Sequence, residues 1–538
     1  MKKNIALLAM SGMFGLGCSC LAGNDLFSVP DFKELPPDIK ILSEKTDDGV
    51  KLTEFYMAGA PFKGKPTKIY AFYARPEADG KYPGVVELHG AGLDVLKPDS
   101  AIAYAKNGFA CIMIDWCGPA KGRKVPRNPP YSEFEDAGTL AAPAIDPKTG
   151  EAEKNKPWKV SLPENSGITN GVKFVRRAFM FLRSRPEVDS GKLCLSGMSA
   201  GAHLSLLVTG VEPELRAAAV KYGRAFIRDL PGYFGGYFGP IVLTSRADQD
   251  AWLAVLDPKH YIKDYKASVL ILSGTDDIFF WMPGVLATYR AIPGDKRLLM
   301  LPNDNHSHVG NVPIPLSWFK SILGMVPAWP TLARPSAKIE GDKAVLSVDI
   351  TGPTKITKAS FWVKRMPKAT FRHGMGEKDK PETQVKWIEV PAAATDSVWK
   401  AEIPAPAADE QVVAYSMVED EKGVKDSSDT VELPDYPKWR GLSAFEPWEQ
   451  KFKASDFKRS ELTNNAMADK VRKVGNLQGL SKGENGARAT GCFEYEFWVP
   501  CNGWYELLVP GGHGVEFFID GTYVFSVEGD KVGTFWLE

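Results

Sequence analysis

Leu193-Cys194-Leu195-Ser196-Gly197-Met198-Ser199-Ala200-Gly201 is the stretch of sequence that decides the fold. It begins with an apolar run, passes through a Gly-x-Ser-x-Gly element, and continues into the apolar segment from Ala202 to Val208. This order predicts a buried strand, a sharp turn flanked by glycines, and a helix. Such a turn holds its serine up at the helix N-terminus, which is the geometry of a nucleophile elbow. We therefore predict that Ser199 is a nucleophile.

A second Gly-x-Ser-x-Gly match, at residues 479–483, shows how weak the motif is on its own. It follows a mixed polar stretch and precedes Glu484-Asn485-Gly486, so neither a buried strand nor an apolar helix surrounds it. A motif of this kind gains its meaning from the predicted structural context. The first match has that context, and the second does not.

Five further apolar runs lie between residues 35 and 326 and predict the sheet to which this strand belongs. They are Gly84–Leu88, Cys111–Ile114, Ala217–Val220, Val269–Leu272 and Leu298–Leu301. Their hydrophobicity is continuous rather than alternating, which is typical of parallel strands covered on both faces. Between the second run and Leu193, apolar residues repeat at helical spacing and a proline closes the helix; these are Val172, Val175, Phe179, Leu182 and Pro186. The predicted fold class is α/β, with a doubly wound, mostly parallel sheet.

Candidate partners for the serine follow the last two runs. A serine hydroxyl needs a base to take its proton, and the base needs a third group to fix its tautomer. In this fold class the acid and the histidine come after the serine, each behind a later strand. We favour Asp277 over Asp276 as the acid, because it lies further past the strand end and can turn back toward the histidine. We favour His306 over His308 as the base, because it lies nearer the strand end.

The oxyanion that forms in acyl transfer needs preorganised N–H donors. We predict the backbone N–H of Ala200 as one donor. The second is that of Ala91, in the loop Leu88-His89-Gly90-Ala91-Gly92, which resembles the His-Gly-Gly-Gly elements of esterases. Further pocket candidates are His89, Gly90, Gly92 and Trp116. Trp116 fits a core position equally well, and His203 is predicted to be a packed structural histidine.

The N-terminus predicts export. Met1-Lys2-Lys3 is followed by an apolar stretch from Ile5 to Leu16 and by small residues up to Gly23. This is the pattern of a secretory signal peptide over residues 1–23, which implies a secreted or periplasmic protein. The alternative is a lipoprotein acylated at Cys18 or Cys20.

The seven cysteines do not form a disulfide framework. We predict that Cys111, Cys117 and Cys194 are small buried hydrophobes, whereas Cys492 and Cys501 could form a disulfide. No Cys/His cluster has metal-ligand spacing, and no Gly-x-Gly-x-x-Gly or Walker pattern follows a strand. The sequence therefore predicts neither a metal nor a cofactor.

The segment from Pro327 to Pro335 reads as a linker, because the pattern changes from continuous to alternating hydrophobicity beyond it. The alternating residues are Leu346/Val348/Ile350, Ala359/Phe361/Val363 and Trp399/Ala401/Ile403. They predict an Ig- or fibronectin-like β-sandwich over residues 336–434. Residues 445–538 predict a second, jelly-roll-like β-domain with a turn at Asp520-Gly521. Its last segment, Thr534–Glu538, reads as a strand with nothing after it, so we expect the natural chain to extend further.

Length and composition limit the number of domains and the class of protein. At about 150 residues per domain, 538 residues suggest three or four domains. Hydrophobic residues at 44% and charged residues at 25% are ordinary globular values and exclude a multi-span membrane protein. Lys+Arg and Asp+Glu are both 66, so no basic field favours nucleic acid or an anionic membrane.

Five stretches together resemble the acetyl xylan esterase/cephalosporin C deacetylase family of α/β-hydrolases. They are Val86–Gly90, Pro186–Asp189, Gly197–Gly201, Gly274–Asp277 and Asn305–His306. The resemblance covers residues 24–328 and implies an α/β-hydrolase fold whose nucleophile, acid and base match Ser199, Asp277 and His306. Where the family carries an Arg-Gly-Gln element, this sequence has Asp115-Trp116-Cys117-Gly118. The last region is similar to jelly-roll carbohydrate-binding modules.

These features lead to one expected function and two alternatives. We expect an exported serine carboxylester hydrolase that deacetylates O-acetylated polysaccharide or oligosaccharide through an acyl-serine intermediate. The alternatives are a peptidase or lipase-like hydrolase on the same fold, and a catalytically inactive glycan-binding surface protein. The expected partners are a small-molecule or polysaccharide ester and, for the C-terminal domain, a glycan, with no nucleic acid and no stable membrane span.

Overall fold

A computed structural model describes residues 26–91, 96–118, 132–133, 149, 159–227, 238, 241, 244, 246–277, 279–306, 312–367, 385–408 and 410–434, and the backbone of six strands between 458 and 537. The helices are α1 Asp99–Lys106, α2 Gly167–Ser184, α3 Ala200–Val211, α4 Arg246–Leu256, α5 Met282–Ala291 and α6 Pro313–Ile322. The first nine strands are β1 Lys40–Asp47, β2 Val50–Ala58, β3 Lys68–Pro76, β4 Tyr82–Leu88, β5 Ala110–Ile114, β6 Val188–Met198, β7 Leu215–Lys221, β8 Ser268–Gly274 and β9 Lys296–Leu301.

The first nine strands form one sheet in the order β1-β2-β3-β5-β4-β6-β7-β8-β9. From β5 onward every neighbouring pair is parallel, whereas β3 runs antiparallel to both β2 and β5. Each of the six apolar runs lies in one of the parallel strands, so the predicted α/β class is confirmed. The strand order from β2 to β9, with one antiparallel strand near the start, is that of an α/β-hydrolase.

Helices cover this sheet and complete its core. In α2 the four residues predicted at helical spacing are all fully buried. The side chain of Ser166 caps this helix by accepting the N–H of Ile168, and the chain leaves the helix at Arg185, one residue before Pro186. Helix α3 is buried along almost its whole length, which places the turn at Ser199 at the centre of the domain.

Two antiparallel sheets follow, built from residues 331–433. Their strands are β10 Thr331–Leu332, β11 Ser336–Glu340, β12 Lys343–Thr351, β13 Ile356–Pro367, β14 Ile388–Pro391, β15 Ala393–Thr395, β16 Val398–Pro404, β17 Glu410–Asp420 and β18 Lys425–Leu433. One sheet contains β10, β11, β12, β15 and β16, and the other has the order β14-β13-β17-β18. A shared apolar core lies between them, and the alternating residues predicted from the sequence supply much of it.

The second of these sheets continues the hydrolase sheet. Ser427 of β18 pairs antiparallel with Leu298 of β9, which makes one sheet of thirteen strands. The connecting segment is packed as well: Trp329 is buried against Trp318, and its N–H and Nε1–H donate to the hydroxyls of Ser321 and Ser317. The predicted linker therefore holds the two parts together.

Among the described residues, the six remaining strands pair with one another. They are β19 Lys458–Ser460, β20 Cys492–Glu494, β21 Gly503–Leu508, β22 Gly512–Ile519, β23 Thr522–Gly529 and β24 Val532–Leu537. Strands β22 and β23 pair with Ile519 opposite Thr522, and β24 pairs with β21. The predicted turn at Asp520-Gly521 lies outside the described residues. The fibronectin-like and jelly-roll topologies stay predictions.

Several sequence-based predictions fall on residues that the structure does not describe. The predicted signal peptide, the second Gly-x-Ser-x-Gly match, Gly92, His308 and Cys501 lie outside the described residues. Among the helices in the described part of the chain, none combines the length and the apolar character needed to cross a membrane.

Candidate active site

Ser199 lies in the sharp turn between β6 and α3. Its backbone has φ 57° and ψ −118°, a left-handed conformation that a residue with a side chain rarely adopts. The turn is secured by the Ser199 N–H, which donates to the carbonyl of Lys221 at the end of β7 over 2.8 Å. No larger residue fits at the two flanking glycines. A Cβ on Gly197 would collide with the carbonyl oxygen of Gly201, and a Cβ on Gly201 would lie 2.5 Å from the carbonyl oxygen of His89.

His306 and Asp277 complete a hydrogen-bonded chain with this serine. The Nε2 of His306 lies 3.0 Å from the Oγ of Ser199, and its Nδ1 lies 3.1 Å from both carboxylate oxygens of Asp277. This geometry suits a Ser199 hydroxyl that donates to Nε2 and an Nδ1–H that donates to the carboxylate. Asp277, and not Asp276, is the carboxylate that reaches the imidazole.

Asp277 is fully buried, and its carboxylate accepts several hydrogen bonds. Its Oδ1 accepts the backbone N–H groups of Phe279 at 2.7 Å and Phe280 at 3.0 Å in addition to the imidazole. The Arg224 guanidinium, also buried, interacts electrostatically with Asp257 and Asp277. Burial lowers the pKa of Arg224 to about 10, so this side chain still carries a positive charge at neutral pH.

Three aromatic rings enclose the imidazole of His306. Ring centroids lie 4.6 Å away for Tyr222, 4.9 Å for Phe279 and 5.9 Å for Phe280. The Tyr222 hydroxyl donates to Asp304 over 2.7 Å, which ties the end of β7 to the loop that carries the histidine. Sequence reasoning did not identify these residues, although Tyr222 follows an apolar run and the Phe-Phe pair follows Asp277 closely.

Left-handed backbone recurs at this edge of the sheet. Ser199 after β6, Tyr222 after β7 and Asn303 after β9 have φ values of 57°, 58° and 57°. All three lie at the carboxyl ends of parallel strands, where open α/β sheets bind ligands. Conformations of this kind persist where the surrounding structure over-determines them, and they cluster at functional sites.

The loop predicted to supply an oxyanion donor lies next to the serine. A Cβ on Gly90 would be 3.2 Å from the Cβ of Ser199, so the glycine allows the loop to approach Ser199 closely. Ala91 follows at an exposed turn, and Ala200 is the first residue of α3. The first N–H groups of a helix have no partner within that helix, so the N–H of Ala200 is placed to serve as a donor.

His89 and Trp116 hold this loop in place through hydrogen bonds and ring stacking. The Nδ1 of His89 donates to the carbonyl of Gly90 over 2.7 Å, and the carbonyl of His89 accepts the Nε1–H of Trp116 at 2.8 Å. The two rings stack with centroids 5.4 Å apart, and Trp116 is fully buried. The sequence allows either a pocket position or a core position for Trp116. The structure places it in the core, packed against His89 of the loop.

Asp115 connects the same loop to the next strand. Its Oδ1 lies 3.5 Å from the Nε2 of His89 and accepts the N–H groups of Cys117 and Gly118, and its Oδ2 accepts that of Ser132. The donor atoms of His89, Asp115 and Cys117 lie within 4.8 Å of one another, close enough to be considered as metal ligands. The backbone bonds already account for the burial of this carboxylate, so the cluster reads as a brace of the loop.

Two groups of buried residues near the elbow are structural. His203 is fully buried between Phe238 and Trp252, and burial lowers its pKa to about 3, so it stays neutral as predicted for a packed histidine. Cys111 and Cys194 are buried thiols whose pKa burial raises, which confirms them as small hydrophobes. Cys117 differs, because it is partly exposed and its thiol contacts Asp115.

Comparison with known sequences agrees with the resemblance described above. Residues 206–372 match the family model of the PhoPQ-activated pathogenicity-related protein, less than half of the chain, and the match crosses from the hydrolase sheet into β13. The acetyl esterase Axe7A of Xylanibacter ruminicola is 25% identical over 247 residues, which is 44% of this chain and 52% of that protein. The chain thus spans about half the length of the curated relative that it matches.

Solved structures similar to this chain include two esterases. The acetyl xylan esterase from Paenibacillus sp. R4 has 18% identity and a TM-score of 0.42, with 54% of this chain and 88% of that chain covered. The acetyl xylan esterase 1 from Thermoanaerobacterium sp. JW/SL YS485 has 18% identity and a TM-score of 0.41, with 56% and 92% covered.

Proposed function

We propose that this protein is an exported serine carboxylester hydrolase that removes acetyl groups from O-acetylated polysaccharides or oligosaccharides. The observation that carries the proposal is the chain of contacts from Ser199 through His306 to Asp277, with separations of 3.0 and 3.1 Å, at the end of a strained strand–helix turn. The acetyl group as the acyl group is supported by the similarity to a curated acetyl esterase.

Acylation uses the three side chains in sequence. The Oγ of Ser199 attacks the ester carbonyl carbon while Nε2 of His306 takes the hydroxyl proton. The buried carboxylate of Asp277 stabilises the imidazolium that forms. The N–H groups of Ala200 and Ala91 donate to the developing oxyanion, and His306 then gives its proton to the leaving sugar hydroxyl.

Deacylation repeats the same steps with water. His306 takes a proton from a water molecule, whose oxygen attacks the acetyl carbon of acetyl-Ser199. Acetate leaves and the serine recovers its proton. No step requires a metal or an organic cofactor.

The domain plan is part of the proposal. Residues 1–23 would direct export, 24–328 would form the catalytic domain, 336–434 a fibronectin-like sandwich and 445–538 a glycan-binding module. The formal net charge of +0 suits an uncharged carbohydrate ester as the substrate.

The decisive experiment compares Ser199→Ala with the wild type in acetate release from a panel of acetylated polysaccharides. We expect a loss of about 10⁴-fold or more in kcat, because the nucleophile is removed. Ser184→Ala, which changes an exposed serine at the end of α2, is the matched control and should retain full activity. Wild-type activity in Ser199→Ala would exclude the acyl-serine mechanism.

Two further measurements separate the alternatives. A fluorophosphonate should label the wild type and not Ser199→Ala, whereas an inactive glycan-binding protein would not be labelled at all. Amide substrates and long-chain esters should be poor substrates, and a preference for either would favour a peptidase or a lipase-like hydrolase.

A further inference from the structure

Residues of the β-sandwich reach the two loops that carry the acid and the base. These loops leave β8 and β9, the last two strands of the hydrolase sheet and the ones beside β18. Trp387, just before β14, contacts the loop that leads to His306, and Lys364 of β13 contacts the loop that carries Asp277. Lys364 lies within the sheet β14-β13-β17-β18, and Trp387 directly precedes its first strand.

On the base side, Asn303 joins the loop to the sandwich through its amide group. Its Nδ2 donates to the carbonyl of Trp387 over 2.9 Å, and its Oδ1 accepts the N–H of Trp387 over 2.8 Å. Its own N–H donates to the hydroxyl of Thr275 on the acid loop over 2.8 Å. Asn303 lies three residues before His306 in a left-handed conformation, so its bonds fix the direction in which the loop leaves β9.

On the acid side, Lys364 meets the residue next to Asp277. Its Nζ lies 3.8 Å from the Oδ1 of Asp276, and the lysine side chain is only 4% exposed. The N–H of Asp276 donates to the carbonyl of Asp304 over 2.9 Å, so the ion pair holds both loops at once. The Nζ also lies 5.9 Å from the centre of the Trp387 ring, which joins the two contacts into one cluster.

The sandwich sheet is itself fixed to the hydrolase domain. Along β17, Val412 and Ala414 belong to the sandwich core, whereas Val413 and Tyr415 belong to the hydrolase core. The Tyr415 hydroxyl donates to the carbonyl of Met300 over 3.2 Å, and its ring packs against Trp387 at 5.1 Å. A sheet buried on both faces is a rigid support for the loops that it contacts.

We propose that this sheet positions the acid and the base of the hydrolase, with Asn303 and Lys364 as positioning residues. The inference rests on the proposed function and extends it. The sandwich is then part of the catalytic unit, because the direction of His306 toward Ser199 depends on contacts from residues 364 and 387. Small displacements of catalytic groups cost large factors in rate, so loss of these contacts lowers turnover more than substrate binding.

Asn303→Gly in the full chain is the first test, because glycine accepts the left-handed backbone and removes only the amide contacts. We expect kcat to fall about 10-fold to 100-fold, with KM changed less than about twofold and the melting temperature close to that of the wild type. Asn303→Asp keeps the acceptor for the Trp387 N–H and should recover part of the lost kcat. Unchanged kcat in Asn303→Gly, or a loss that only follows a reduced folded fraction, would overturn the proposal.

Lys364→Met is the second test, and Lys358→Met is its control. Lys358 lies on the same strand and pairs with Glu389 over 2.7 Å, but its side chain is 60% exposed and contacts no catalytic loop. Lys364→Met should lower kcat and the rate at which a fluorophosphonate labels Ser199, and Lys358→Met should change neither. Equal effects of the two variants would contradict the positioning role.

Amide hydrogen exchange separates this proposal from the proposed function. Exchange of the amides of residues 302–306 should become faster in Asn303→Gly, whatever reaction the wild type catalyses. If exchange is faster in Asn303→Gly but the wild type has no esterase activity, the proposed function is refuted, whereas the proposal that the sandwich positions the loop stands. Unchanged exchange would refute the support, even if Ser199 is the nucleophile.

Discussion

The two edge strands of the hydrolase sheet, β1 and β9, differ in how well they are covered by other parts of the chain. At one edge, all eight residues of β1 are exposed, including Ile41 and Leu42 at 53% and 40%. At the other edge, β9 is joined by β18, in which every residue after Lys425 is buried. The loops that carry Asp277 and His306 leave from the two strands nearest this covered edge. The comparison indicates that the chain packs a further sheet beside the candidate catalytic loops, whereas the other edge strand carries charged residues and a register irregularity between Ile41 and Ser43.

Removing the main ion pair of the covered edge should have the largest effect. Arg290 of α5 and Asp429 of β18 form a two-bond pair at 2.7 and 2.8 Å, with side chains 9% and 10% exposed. Arg290→Met leaves Asp429 buried without this partner, and we expect the free energy of unfolding to fall by about 3–5 kcal/mol. Urea unfolding of the full chain measures the change.

Arg365→Met supplies the matched comparison. Arg365 pairs with Glu410 in the same two-bond manner, but within the sandwich and with side chains 28% and 23% exposed. We expect this variant to lose about 1 kcal/mol or less, because solvent screens the pair. If both variants lost the same free energy of unfolding, the ion pair at the covered edge would contribute no more to stability than the more exposed pair within the sandwich.

A smaller effect of opposite sign is expected at Asp426, also on β18. Burial raises the pKa of this carboxyl well above 3.8, against the opposing effect of Arg297. The unfolded chain ionises at lower pH than the folded protein, so the contribution of Asp426 to stability is present at low pH and is lost as pH rises toward the folded pKa. Asp426→Asn cannot ionise and should gain melting temperature relative to the wild type between about pH 4 and pH 8. A difference that stays constant or shrinks over this range would contradict the raised pKa.

The smallest effect is expected at the open edge. Ile41→Thr replaces an exposed side chain on β1 with another β-branched residue, and we expect a change within about 0.5 kcal/mol in the free energy of unfolding. Urea unfolding again provides the measurement. A loss above about 1 kcal/mol would mean that this edge is covered in solution, and the contrast between the edges would disappear.

The sequence predicted the parallel strands well and missed the strand that covers their edge. Strands β4 to β9 carry runs of apolar residues, which is a local signal of burial on both faces. Strand β18 reads Lys-Asp-Ser-Ser-Asp-Thr-Val-Glu-Leu, a polar pattern that predicts exposure. Its polar side chains are buried because their partners, such as Arg290 and Leu298, come from about 130 residues earlier in the chain. No local pattern contains that information.

In the candidate site, too, the sequence predicts the residues that follow strands but not the contacts between distant loops. Ser199, Asp277 and His306 could be chosen from motif order, because each follows an apolar strand at the expected spacing. The ring of Tyr222 against His306 and the amide of Asn303 on Trp387 could not be, because they depend on where distant loops meet. Motifs identify the groups that react, and tertiary contacts decide how those groups are held.

Ser199, Tyr222 and Asn303 each combine a left-handed backbone with a side chain that the candidate site uses. A non-glycine residue in this conformation costs about 1–2 kcal/mol, so glycine at any of the three would relieve backbone strain. The same substitution would delete the hydroxyl of the proposed nucleophile, a ring that packs on His306, or the amide that binds Trp387. At Ser199, whose side chain is only partly buried, a library selected for thermal resistance alone would therefore favour glycine, and one selected for turnover would reject it. At Tyr222, which is fully buried, the cavity left by the ring would outweigh the relief of strain.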